Sequence, residues 1–195
     1  MNFLAHIHIA TVCDSDVAGN LLGDFVKGNP VGRYPKEVVD GIMLHRFVDK
    51  FTDQHEISRQ VKLLFSPARR RFAPIAMDVF WDHCLANAWS QYCDESLHSF
   101  CQKAEKRVAK PNVVLPERYL HVTELMWKNR WLTSYVSFNT IEVVLERMSH
   151  RSTRMAPLAE CFQDIDTHYD EMKGLFSILY DDVLKASMEK THHLP

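Results

Sequence analysis

The sequence predicts an all-α, single-domain helical bundle, and three observations carry that expectation. Apolar residues recur three and four positions apart through most of the chain, the spacing of one helix face. Strict apolar–polar alternation, the mark of a half-buried strand, is scarce. The breaks between periodic stretches are short and rich in proline, glycine or polar residues, and 195 residues suit one sizeable core.

In chain order, a short helix is expected near 2–12 and a second from about 15 to 27. GNPVGRYP at 28–35 reads as a loop by composition, and Pro35, a favourable first-turn residue, opens a helix to about Asp53. A helix over 55–65 precedes SPARRRFAP (66–74), a basic break. A long helix then runs from about 74 to 91 and another over 94–110, followed by PNVVLP (111–116) as a linker. Further helices are expected at 117–127, 138–149 and 156–188, with 1–190 as one domain and 191–195 as a frayed tail.

The bulk properties exclude several classes. A hydrophobic fraction of 46% and a charged fraction of 25% are those of an ordinary globular protein. A formal net charge of -2 rules out a globally basic protein that coats nucleic acid. Five cysteines (Cys13, Cys84, Cys93, Cys101, Cys161), widely spaced and without a C-x-x-C pair, argue against a disulfide scaffold or a zinc knuckle. MNFLAHIHIA lacks the basic leader of a signal peptide, and no uncharged run nears the roughly 20 residues that span a bilayer. A cytoplasmic protein without a membrane partner is the expectation.

Polar residues then stand on apolar stripes. GNLLGDFVKG (19–28) sets Asp24 among Leu21, Leu22, Phe25 and Val26, which a turn, a cap or a metal site would each explain. On the helix at 35–53, Val38, Ile42, His45, Asp49 and Thr52 share one stripe, with Asp53 at its edge. An imidazole and a carboxylate four residues apart reach a common metal or orient each other in a structural hydrogen bond. On the helix at 74–91, Ile75, Val79, Asp82, Ala86 and Trp89 share a stripe flanked by Asp78 and His83. Asp78 and Asp82, four apart, repel unless a cation or a proton lies between them; the plainer account is a solvated Asp78 and a hydrogen-bonded Asp82. His6 and His8 diverge by about 200° on a helix, and a core or capping histidine is the default there.

Together His6, Asp24, His45, Asp49, Asp82 and His83 form a mixed imidazole–carboxylate set. Such donors suit Mn²⁺ or Mg²⁺, with Fe²⁺ and Zn²⁺ also admitted. A metal there would polarise a phosphoryl oxygen and generate a nucleophile from bound water, which points to phosphate-ester hydrolysis. The chain has no Walker loop, no Rossmann G-x-G-x-x-G after a strand and no G-x-S-x-G elbow.

The blocks MNFLAHIHIA, GNLLGDFVKGNP, GIMLHRFVDKFTD and PIAMDVFWDHCLA resemble the signature blocks of the acyl carrier protein phosphodiesterase family. Trp127, the Trp131–Leu132 pair and DIDTHYD (164–170) fit the same pattern, so the likeness runs from residue 1 to about 180. The resemblance implies hydrolysis of the phosphodiester that joins 4′-phosphopantetheine to a serine of holo acyl carrier protein. It also implies a divalent cation, typically Mn²⁺, and an all-α fold related to the HD-type metal phosphohydrolases with an altered helix arrangement. Here Asp82-His83 stands in the order D-H rather than the H-D of that superfamily.

Carried over by position, Asp24, His45, Asp49 and Asp82 are expected at the metal. Asp24, His6 and His83 are the catalytic candidates, the histidines as ligands, water-orienting groups or proton donors to the leaving serine oxygen. An acidic carrier calls for a basic docking patch, which speeds encounter. Arg69, Arg70 and Arg71 are the favoured patch; Lys103, Lys106, Arg107 and Lys110 are as well explained by a solvated face. Phe25, Phe80 and Trp81 are expected to wall the channel of the prosthetic arm. The competing readings are an HD-type nucleotide or alarmone phosphohydrolase and a non-catalytic regulator that binds the carrier.

Overall fold

A computed structural model of the chain describes residues 1–108 and 113–192. It contains helices and turns and, among the described residues, no β-strand; the one β-bridge joins Val31 and Tyr34 within the loop. Among the described residues twelve α-helices follow in chain order: α1 (Phe3–Val12), α2 (Val17–Leu22), α3 (Lys36–Gln54), α4 (Glu56–Leu64), α5 (Ala73–Asn87) and α6 (Trp89–Tyr92), then α7 (Leu97–Val108), α8 (Glu117–Lys128), α9 (Trp131–Ser134), α10 (Asn139–Ser149), α11 (Cys161–Thr167) and α12 (Tyr169–His192). Short 3₁₀ turns at Arg70–Phe72 and Thr153–Leu158 join some of them.

α1 and α5 form the centre. Residues Leu4 to Ala10 of α1 are all buried, so this helix is apolar around its whole circumference and carries His6 and His8 into the interior. α5 is buried from Ala76 to Ala86 except at Asp78. α12 is amphipathic and lays Met172, Phe176, Leu179, Tyr180 and Val183 against the core. α2 meets α3 at unusually close range: a Cβ on Gly41 would stand 2.7 Å from the Asp16 carbonyl oxygen and 2.8 Å from the Asn20 nitrogen. Gly41 faces Gly19, and that contact brings the end of α2 over the middle of α3.

Several boundaries differ from the periodic reading. The helix expected over 15–27 is only Val17–Leu22; Asp16 caps it by accepting from the Gly19 amide, and the chain turns at Gly23. Asp24 therefore sits in a turn rather than on a helix. The helix expected over 156–188 is divided, with α11 ending at Thr167 and His168 separating it from α12. α9 was hidden in the interval between expected helices. Lys110, residues 111–112 of the linker and 193–195 of the tail lie outside the described residues. No described helix is long and apolar enough to cross a membrane.

Candidate metal centre

α3 presents His45 and Asp49 one turn apart, and α1 delivers His6 from the core to the same place. Asp49 Oδ1 lies 3.0 Å from His6 Nε2, and Asp49 Oδ2 lies 3.1 Å from His45 Nε2. The turn after α2 adds Asp24, whose Oδ1 is 3.4 Å from His45 Nε2. The two imidazoles stack with centroids 3.9 Å apart. Both rings are buried, whereas the Asp49 and Asp24 side chains are 40% and 51% exposed. The cluster is thus a buried imidazole pair capped on its solvent side by two carboxylates.

The charges are distributed unevenly. Burial by itself would lower the pKa of His45, but hydrogen bonds and attraction from Asp24 and Asp49 outweigh it and hold the imidazolium up to about 9. Burial and the neighbouring His45 cation push His6 down to about 4, against its bond to Asp49. Burial opposes ionisation of Asp49 and Asp24, yet the two imidazoles hold Asp49, and His45 chiefly holds Asp24, below the usual carboxylate range. A proton on His45 thus occupies a position that a cation would compete for.

His6, His45 and Asp49 each offer one ligand atom, and these atoms lie within 4.8 Å of one another. The Nδ1 atoms of His6 and His45 are buried without a partner in the protein, so the fold has not consumed the hydrogen-bonding capacity of these rings. His8 shows the contrast: its nitrogens are taken by the Tyr180 hydroxyl at 2.8 Å and the Tyr92 carbonyl at 3.2 Å. The N, N, O donor set fits a divalent cation without choosing among the metals.

Asp82 and His83 are not brought to this cluster. Asp82 is fully buried and accepts from the amides of Leu4 at 2.8 Å and Ala5 at 3.0 Å. It caps the first turn of α1, where Asn2 supplies no side-chain cap. Burial pushes its carboxyl up to about 7 in spite of those amides. Replacing Asp82 by alanine is expected to cost about 2–3 kcal/mol by orphaning two buried donors. Thermal unfolding followed by circular dichroism checks this; an unchanged Tm with lost cation binding would return Asp82 to the metal. His83 spends Nδ1 on the Tyr135 carbonyl at 2.7 Å and Nε2 on the Tyr169 hydroxyl at 3.0 Å.

Asp78, expected from the sequence as a solvated acid, is instead paired beside the cluster. Its Oδ1 accepts from the Met1 amino group at 2.6 Å, and that group is 3.7 Å from Asp49 Oδ1. Burial raises the Asp78 carboxyl to about 6 against the attraction of that ammonium.

The basic run at 69–71 is largely committed to structure. Arg69 grips Asp164 of α11 with Nε at 2.7 Å and Nη2 at 2.8 Å, and reaches Glu160 at 3.3 Å. Arg70 donates to the carbonyls of Leu63 and Phe65, each at 3.2 Å. Arg71 alone of the three is exposed, lying 4.6 Å over the Phe72 ring. In the second cluster Lys103 pairs with Glu95 at 2.7 Å and Arg107 reaches Thr11 at 3.3 Å. Phe25, beside Asp24, is half-buried edge-on to Tyr119, while Phe80 and Trp81 are fully buried core residues. Of these aromatics Trp81 borders a pocket next to Asp78.

Comparison with known proteins places this geometry in context. The model of a family described as acyl carrier protein phosphodiesterase matches residues 1–183. The chain is 43% identical to the acyl carrier protein phosphodiesterase of Pectobacterium atrosepticum, covering 100% of both chains. Against proteins of the same name from Klebsiella pneumoniae and Yersinia pestis it is 40% identical, covering 97% of this chain and 99% of each relative. No solved structure matches.

Proposed function

The chain belongs to the acyl carrier protein phosphodiesterase family, and from that premise we propose that it hydrolyses holo acyl carrier protein to the apo form with the help of a divalent cation. The bond broken is the one between phosphorus and the carrier's serine oxygen. Water supplies the new oxygen on phosphorus, and the products are a free serine hydroxyl and 4′-phosphopantetheine. The observation that carries the reading is the convergence of His6, His45 and Asp49 within 4.8 Å in a chain whose family match spans residues 1–183.

His6, His45 and Asp49 would hold the cation, which is Mn²⁺ in this reading with Mg²⁺ or Fe²⁺ as substitutes. Bound there, it supplies a Lewis acid for a phosphoryl oxygen and a lowered pKa for water. Binding requires His45 to give up its proton, since a ligating imidazole is neutral. Asp24, ionised and on the solvent side, is placed to orient the attacking water and accept its proton at a carboxylate oxygen. Stacking of the buried rings keeps solvent from their inner faces. His83 has no role in this scheme, because both its nitrogens are engaged elsewhere. Five free thiols accord with a reducing, cytoplasmic setting for such an enzyme.

The test is the electrophoretic shift from holo to apo carrier, with Mn²⁺ and with chelator, for wild type and Asp24→Ala. Wild type is expected to convert the carrier only with the cation, and Asp24→Ala to be about 10- to 100-fold slower. Equal rates for the two proteins would remove Asp24 from the site, and undiminished conversion in chelator would remove the cation.

A further inference from the structure

Arg46 follows His45 on α3 and is not used by the chemistry above. One position on, its side chain leaves the helix about 100° away from His45 and reaches the loop that follows Asp24. Its Nη2 donates to the Val26 carbonyl at 2.6 Å and its Nη1 to the Gly28 carbonyl at 2.8 Å. The carbonyl between them, that of Lys27, accepts from Arg33 Nη1 at 2.9 Å. Three consecutive backbone carbonyls thus each receive a guanidinium donor.

Satisfying those carbonyls does not require arginine. Lys27 and Gly28 are exposed, and water would serve their carbonyls as well. A guanidinium that spans two carbonyls with charge-assisted bonds does something water does not, which is to fix the path of the chain. The Arg33 bond stays within the loop, whereas the two bonds of Arg46 tie the loop to α3.

The held carbonyls stand two and four residues beyond Asp24. Between α2 and that hold the turn is one hydrogen-bonded unit, for the amides of Phe25 and Val26 both donate to the Leu22 carbonyl, at 2.9 Å and 3.0 Å. Gly23 packs on the His45 ring at the near end of the turn. The turn is therefore seated at one end on His45 and at the other on Arg46, consecutive residues of α3. The Asp24 side chain is more than half exposed, and its Oδ1 lies 3.4 Å from His45 Nε2. A contact of that length is too weak to immobilise an exposed carboxylate, so the place of Asp24 follows from the backbone beneath it.

We propose that Arg46 is a positioning residue for the reaction: by gripping the Val26 and Gly28 carbonyls it fixes the turn that holds the Asp24 carboxylate beside His45. The inference rests on the phosphodiesterase reading and on the role given there to Asp24. The cation is held by His6, His45 and Asp49, so loosening the turn acts on the rate and leaves cation binding in place. Lysine is a poor substitute, since it offers one nitrogen where arginine sends two to separate carbonyls.

Arg46→Ala is expected to lower kcat for holo-to-apo conversion about tenfold, with KM and calorimetric Mn²⁺ affinity within about threefold of wild type. Arg46→Lys is expected to fall between the two. In the Asp24→Ala background, Arg46→Ala is expected to bring no further loss, because the group it positions is gone. Amide hydrogen exchange on the protein without Mn²⁺ is expected to quicken about tenfold over residues 24–28 in Arg46→Ala and to keep its wild-type rate in α1. Unchanged exchange across the turn, or full additivity of the two substitutions, overturns the assignment. So does a loss of Mn²⁺ affinity as large as the loss of kcat, the mark of a general disturbance of the cluster. Conversion by wild type with Arg46→Ala keeping pace leaves the phosphodiesterase and removes Arg46 from it. Absence of conversion by wild type removes the phosphodiesterase reading and with it the reaction role of Arg46, while faster exchange then keeps the guanidinium as the hold on the turn.

Discussion

Asp49→Ala is expected to slow holo-to-apo conversion by about 10³-fold or more, the loss of several kcal/mol of charge stabilisation. Asp49 is the carboxylate that bonds both imidazoles, His6 at 3.0 Å and His45 at 3.1 Å, and it lies 3.7 Å from the Met1 amino group. Without it, His6 loses its side-chain hydrogen bond, His45 keeps only the Asp24 carboxylate, and the three-donor set is reduced to two nitrogens. The side chain is 40% exposed, so truncation opens little cavity and the fold is expected to survive. Calorimetric titration with Mn²⁺ and the gel-shift rate are measured together. Asp49→Asn keeps the shape and loses the charge, and it is expected to fail in both measurements as well. A turnover within tenfold of wild type, with Mn²⁺ still bound, would place the centre elsewhere.

How much of this was legible in the sequence depends on whether a residue answers to its own helix. The stripe through His45 and Asp49 is a local property of α3, and the structure does join the two residues. Asp82 gave the same local signal, an acid on an apolar stripe, but its partners are amides 77 and 78 positions away on α1. Helical periodicity registers that a buried acid needs a partner; it does not say whether the partner is a cation or a helix end. The break at His168 is equally non-local. Asp164 on α11 is held by Arg69, 95 positions earlier, so a basic run that reads as a docking patch is a clamp on a helix junction.

Gly23→Ala is expected to reduce turnover by on the order of 10²-fold and to lower stability with it. Gly23 has φ -50° and ψ -40°, an ordinary right-handed conformation that alanine adopts freely, so backbone strain is not the issue. The obstacle is a side chain: a Cβ at this position would overlap Cγ and Cδ2 of the His45 ring. The ring can yield only by leaving its place against His6, Asp24 and Asp49, and the His45 Cβ, which would stand 2.6 Å away, moves only with the backbone of α3. A displacement of about 1 Å at a positioning group is enough for a hundredfold loss of rate. Gly19, one turn earlier, meets the Val38 backbone instead, so the effect on His45 belongs to Gly23. Mn²⁺ affinity is expected to fall alongside the rate, with a Tm below that of wild type because the turn after α2 must move off α3. An alanine variant within threefold of wild-type turnover would show that the His45 ring has room to move and that its observed placement does not govern the reaction.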